Sequence, residues 1–373
     1  MKQLSYFIFL IFILIGCTQK PQNASEDQGE DIALDYAKGF GLTKTTHYTT
    51  VTVYNPWLKG EIYARYYLVK DTNTEVPSDG QKVVIPLQTM VANSATQLEF
   101  LQMLDEMPSI VGVCNPQYIY NPTVQENVKT GKIQDMGDAF NLDIERLLLL
   151  RPQAIMTTAY NTEDENSKRM KQTGLTLIYN IEWQERTLLG RAEWIKFVGA
   201  FFDKEEKADS LFQQTAAEYN ALKQLTTHCT NRPSVMTGQD FRGTWTMPAG
   251  NSFNAQLFRD AAANYHFSDD GQEGSRSSSI EEALLLFKDA DIWVGSQANS
   301  LEELKNTNEK YRLFKAFRTG NVYNYNKRCN ATGGNDYWES AVAHPNWLLK
   351  DLIKVFHPEL LPDYETFYIQ QLK

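Results

Sequence analysis

Tyrosine, tryptophan, asparagine and glutamine crowd a few short segments of this 373-residue chain. They are Cys114-Asn115-Pro116-Gln117-Tyr118-Ile119-Tyr120-Asn121, Thr157-Thr158-Ala159-Tyr160-Asn161 and Gln239-Asp240-Phe241-Arg242-Gly243-Thr244-Trp245, then Asn324-Tyr325-Asn326 and Asn335-Asp336-Tyr337-Trp338. Flat rings beside amides suit a large planar or macrocyclic ligand, which needs apolar area and a few orienting polar groups. The expected contacts are Tyr118, Tyr120, Tyr160, Gln239, Phe241, Arg242, Trp245, Tyr325 and Trp338. No catalytic residue is expected, because neither a Gly-x-Ser-x-Gly elbow nor a phosphate-binding loop occurs. Glu182 and Glu185 flank Trp183 as a glycosidase pair would, yet nothing in the sequence places them across one sugar. Glu193 is expected to face solvent. The five histidines, His47, His228, His266, His344 and His357, are scattered without ligand spacing, so no protein metal site is expected. Tyr118 or Tyr160 could still reach an iron carried by the ligand.

A second chemistry lies at the amino end. Lys2 precedes an apolar run from Leu4 to Ile15, which leads into Leu14-Ile15-Gly16-Cys17. The run is shorter than the roughly 20 residues that span a bilayer, and reads as an export signal. Small Gly16 before Cys17 is similar to a bacterial lipobox. Acylation of the Cys17 thiol would fix the chain to an envelope membrane, since each buried CH₂ contributes about 0.8 kcal/mol. The alternative is an ordinary secretory signal followed by a chance cysteine. Three cysteines remain, Cys114, Cys229 and Cys329, which allow at most one internal disulfide. The net charge of −10 excludes a nucleic-acid partner, because no basic stripe displaces phosphate counterions.

Elements that alternate strand and helix must carry these loops. The pattern predicts five segments: residues 1–17 as the signal, 18–40 as a flexible tether, and 41–190 as an α/β lobe with an added β-hairpin. Connecting helices over 191–228 and a second α/β lobe over 229–373 complete it. Strands are expected at 109–113, 154–156, 175–179, 234–238 and 291–295, with helices between them. Apolar residues from Ala208 to Leu225 recur at three-to-four spacing. One helix over 203–227 would reach about 37 Å, long enough to join two lobes or to pack along one. Ligands of open α/β sheets sit beyond the carboxyl ends of the strands, where the aromatic loops fall.

Several local patterns resemble one known family. Val84-Ile85-Pro86-Leu87, Ser94-Ala95-Thr96-Gln97-Leu98 and Ile110-Val111-Gly112-Val113 resemble the opening of the type III periplasmic binding proteins of ABC importers. Asp143-Ile144-Glu145-Arg146-Leu147 through Arg151-Pro152-Gln153-Ala154-Ile155 is similar to an internal block of that family. Ser279-Ile280-Glu281-Glu282-Ala283-Leu284 with Ala290-Asp291-Ile292-Trp293-Val294 is similar to its second-lobe counterpart. The resemblance covers about residues 80–370. It implies two Rossmann-like lobes, parallel sheets flanked by helices, joined by one long rigid helix with a ligand cleft between them. It implies a metal-chelate cargo, a ferric siderophore, haem or cobalamin, with no covalently bound cofactor. It also implies permease and ATPase partners, a lipid-anchored monomer in the cell envelope, and binding without catalysis. Family members dock through one carboxylate per lobe. Glu281 matches one position, while Gln97 stands where the other is expected; an N-terminal helix charge is the plainer reading of Glu281. An envelope glycan hydrolase and a ligand-sensing lipoprotein are the alternatives.

Overall fold

The computed structural model describes residues 29–162 and 165–373. Cys17 and the signal segment lie outside the described residues. No helix among the described residues is long and apolar enough to cross a membrane.

The first lobe is built on a parallel sheet. Its strands run in the order Thr176–Tyr179, Ala154–Thr157, Met90–Ala92, Ile110–Val113 and Gln134–Asp135. The central strands Met90–Ala92 and Ala154–Thr157 are buried along their whole length. They therefore read as continuous apolar runs, as strands covered on both faces do. In the second lobe Asn264–Tyr265, Ser234–Thr237 and Ile292–Val294 pair in parallel, and Val322 adds a parallel bridge to Trp293.

One helix, Glu205–Thr226, joins the two. Its 22 residues give about 33 Å at 1.5 Å per residue. Ala208, Phe212, Thr215, Tyr219 and Leu222 form its buried stripe. That stripe packs on Trp194–Ala200 of the first lobe and on Pro345–Phe356 of the second. Tyr219 also donates its hydroxyl to Asp260 of the second lobe at 2.8 Å.

The amino-terminal part departs from expectation. The expected hairpin is present as Thr49–Tyr54 with Ile62–Val69, but it lies within a five-stranded sheet that adds Glu30–Ile32, Phe40–Lys44 and Gln81–Val84. Residues 30–40, expected within the tether, are fixed. Glu193 accepts the backbone N–H groups of Asp35, Tyr36 and Ala37 at 2.9, 2.8 and 2.8 Å. Far from facing solvent, Glu193 is fully buried, and Lys196 reaches it at 3.0 Å. A buried carboxylate must have such partners, and a segment from far back in the chain supplies them. The three cysteines Cys114, Cys229 and Cys329 are free.

Candidate functional site

A cavity of about 740 Å³ opens between the lobes. Residues 183–186 form its wall on the first lobe, and strand-end loops of the second lobe supply the rest. Trp183 is held by its indole N–H, which donates to Thr158 Oγ1 at 3.0 Å and the Ala159 carbonyl at 3.2 Å. Tyr160 lies behind it at 5.7 Å between ring centroids, and Phe140 continues the row at 5.1 Å.

Facing this wall, Tyr325 and Tyr337 stack at 4.3 Å, with Trp338 edge-on to Tyr337 at 4.7 Å. Burial pushes the Tyr337 phenol up to about 12, and the Tyr325 phenol is also raised, chiefly by burial, with Tyr337 and Asp351 adding to it. Gly295 makes the stack fit. It adopts φ +74°, and a Cβ there would lie 3.2 Å from the Tyr325 ring. Gln239 braces the same loop by accepting Ser296 Oγ at 3.2 Å and the Gln297 N–H at 2.9 Å.

The lobes touch beside this gap and away from it. Arg186 meets Glu273 at 3.0 Å, and both line the cavity. Elsewhere Glu339 of the second lobe accepts the Tyr120 N–H, His344 bonds Glu99 at 2.7 Å, and Asn330 donates to the Ile119 carbonyl at 2.8 Å.

Of the nine contacts expected from sequence, Tyr325 and Trp338 line the cavity. Tyr160 and Gln239 stand one residue behind its lining. Tyr120 is taken up by the seam between the lobes, its ring under the Arg328 guanidinium at 5.1 Å. Tyr118 is exposed, and Phe241 with Arg242 forms an exposed hairpin tip; none of the three lines the cavity. Trp245 is a correction. It is fully buried, packed among Trp293, Tyr311 and Phe314, and its N–H donates to the Thr237 carbonyl at 2.9 Å. It belongs to the strand Thr244–Pro248, whose alternation turns Trp245 and Met247 inward.

Gln97 is a second correction. It is buried, and its side-chain oxygen accepts the Ser94 N–H at 3.3 Å, so it presents nothing to a partner protein. Glu99 is buried as well, bonded to His344. Glu281 is exposed and paired with Lys310.

The carboxylates around Trp183 are occupied by structure. Glu185 accepts the N–H groups of Lys38 and Gly39 at 2.9 and 2.8 Å and the Trp194 indole at 3.0 Å. Glu182 is buried 3.8 Å from Arg191, and burial raises its carboxyl despite that cation. Among the described residues no group of three His, Cys, Asp or Glu side chains is placed to hold a metal ion.

The sequence reading missed Trp183, Phe253, Asn251, Asn254 and the Arg186–Glu273 pair as cleft residues. Trp183 was legible as an aromatic beyond the strand Thr176–Tyr179. Phe253 and its neighbours follow a strand of the hairpin, where no aromatic cluster marks the loop.

Two parallel-sheet lobes on one helical strut, with a cleft at their strand ends, match a known pattern. The family model for periplasmic binding proteins matches residues 90–329. The chain belongs to that family. Its fold agrees with solved members. A possible iron-binding, periplasmic solute-binding protein from Staphylococcus epidermidis superposes with TM-score 0.56 at 18% identity, covering 73% of this chain and 99% of that one. A periplasmic haem-binding protein from Roseiflexus sp. RS-1 gives 0.54 at 15% identity, covering 74% and 99%. In sequence, the chain is 27% identical over 320 residues to an uncharacterized lipoprotein of Methanocaldococcus jannaschii, covering 81% of this chain and 75% of that one. This chain is thus a periplasmic binding protein in both sequence and fold.

Proposed function

We propose that this protein captures a metal-chelate small molecule in the interlobe cleft and delivers it to the permease of an ABC importer. The chelate is a ferric siderophore, haem or cobalamin, and Cys17 anchors the monomer in the cell envelope. The observation that carries this reading is the cavity itself. Trp183 on one lobe faces the Tyr325–Tyr337 stack and Trp338 on the other, with amides of Asn251, Asn254 and Asn326 between them. Large aromatic faces with a few amide groups suit a bulky organic shell around a metal. The test is titration of intrinsic fluorescence with ferric siderophores, haemin and cyanocobalamin. Saturable quenching at micromolar or lower concentration is expected for one of them, and no response to any would refute the reading.

Docking follows the same proposal, with one change of residue. Glu145 replaces Gln97 as the first-lobe carboxylate. Glu145 and Glu281 each stand two places after an N-cap, Asp143 and Ser279, whose side chains accept the N–H groups of Arg146 and Glu282. Each helix also carries an exposed leucine six places after its cap, Leu149 at 84% and Leu285 at 83% exposure. A carboxylate beside a bare leucine, repeated on both lobes, is a matched pair of surface features for one partner.

A further inference from the structure

The residue types lining the cleft narrow the cargo, granted the reading just given. We infer that the cargo is a coordinatively saturated metal chelate, neutral or weakly cationic, gripped through its organic shell, and is neither haem, a bare ion nor a polyanionic chelate.

Donors to the metal come first. Among the described residues the cavity lining contains neither histidine nor cysteine. His344 is bonded to Glu99 and His357 to the Ala262 carbonyl, so both rings are engaged in structure. A tyrosine binds ferric iron as phenolate. The two lining tyrosines are stacked on each other and desolvated, which holds both phenols in their neutral form at ordinary pH. Tyr160, raised by burial and by Glu182, sits behind Trp183, outside the lining. The single lining methionine, Met247, is buried in the second lobe. An axial ligand for haem, or a set of ligands for a naked ion, is thus missing from the described cleft. A metal whose coordination sphere is already filled asks for none.

Charge comes second. The ionised side chains lining the cavity are Glu185, Arg186 and Glu273. Glu185 is saturated by Lys38, Gly39 and Trp194. Arg186 is paired with Glu273, and behind the wall Arg191 stands 3.8 Å from Glu182 with its guanidinium over the Phe253 ring. Among the described residues the cation of the cavity lining is Arg186, which Glu273 already pairs, and the chain as a whole carries −10. A polyanion entering would have to take Arg186 from Glu273 and then sit beside the released carboxylate. The remaining polar groups, Asn251, Asn254, Asn326 and Gln297, are amides, which bond carbonyls and hydroxamates without any change in charge.

The test is calorimetric titration of the purified protein with five probes. These are ferrichrome and cyanocobalamin, both neutral, ferrioxamine B, a monocation, ferric enterobactin, a trianion, and haemin. At least one of the first three is expected to bind about tenfold or more tightly than either of the last two, with affinity little changed between low and high salt. Tighter binding of the trianion, or haemin binding with a Soret shift that reports axial ligation, overturns the inference and leaves metal-chelate capture standing. Silence toward all five removes both together.

Discussion

Glu339 of the second lobe accepts the Tyr120 backbone N–H of the first at 2.7 Å, and that of Asn121 at 3.3 Å. Burial pushes this carboxyl up to about 7, the two N–H groups oppose the shift, and nearby Asp336 and Glu99 add to it. A carboxyl raised in the folded protein prefers its proton there. Its contribution is fully favourable below the unfolded value of about 4.3, then declines as pH climbs to about 7, a change of up to about 4 kcal/mol. Thermal unfolding of the wild type and Glu339→Gln across that window should show the wild type losing stability relative to the variant as pH rises. A wild type that gains on the variant over the same range would contradict this account of the seam.

Trp245 and Trp338 separate core from cleft. Trp245→Ala should cost about 3–5 kcal/mol in denaturant unfolding, because it empties a fully buried indole site. Trp338, 69% exposed, should leave stability within about 0.5 kcal/mol when changed to Ala, yet weaken cargo binding about tenfold. If the two variants exchange these phenotypes, the cleft has been placed wrongly.

Glu193→Ala should be among the most damaging single changes outside the apolar core. It strips acceptors from three backbone N–H groups and leaves Lys196 to its second partner, Asp209. A loss of about 3–5 kcal/mol is expected from denaturant midpoints. Deleting residues 1–40 should destabilise comparably, because it removes the three donors that Glu193 accepts.

Glu145→Arg with Glu281→Arg should abolish cargo-stimulated ATP hydrolysis by the reconstituted importer while leaving the cargo Kd within about twofold. Loss of cargo binding in this double variant would move both residues from docking to the fold.

Much of the architecture was legible because parallel strands buried on both faces leave unbroken apolar runs, as at Ala154-Ile155-Met156. The connecting helix announced itself through its buried stripe from Ala208 to Leu222. Site residues were harder to read. Trp245 lies in an aromatic-rich segment, and only its register in a strand decides that it faces inward. Glu193 looks like an ordinary surface charge until a segment over 150 residues earlier in the chain brings it three donors. Gln97 and Glu145 illustrate the same limit: each stands in the first turn of a short helix, and rotation about the axis buries one and exposes the other. Long-range partners, not local pattern, settle such cases.

The clasp on residues 35–37 also extends to the strut between the lobes. Gln213 donates to Asp35 at 3.0 Å, Asn220 to the Tyr36 hydroxyl at 3.2 Å, and Phe212 meets the Tyr36 ring edge-on. A pull transmitted through residues 35 and 36 would therefore act on the helix between the lobes, not on either lobe alone.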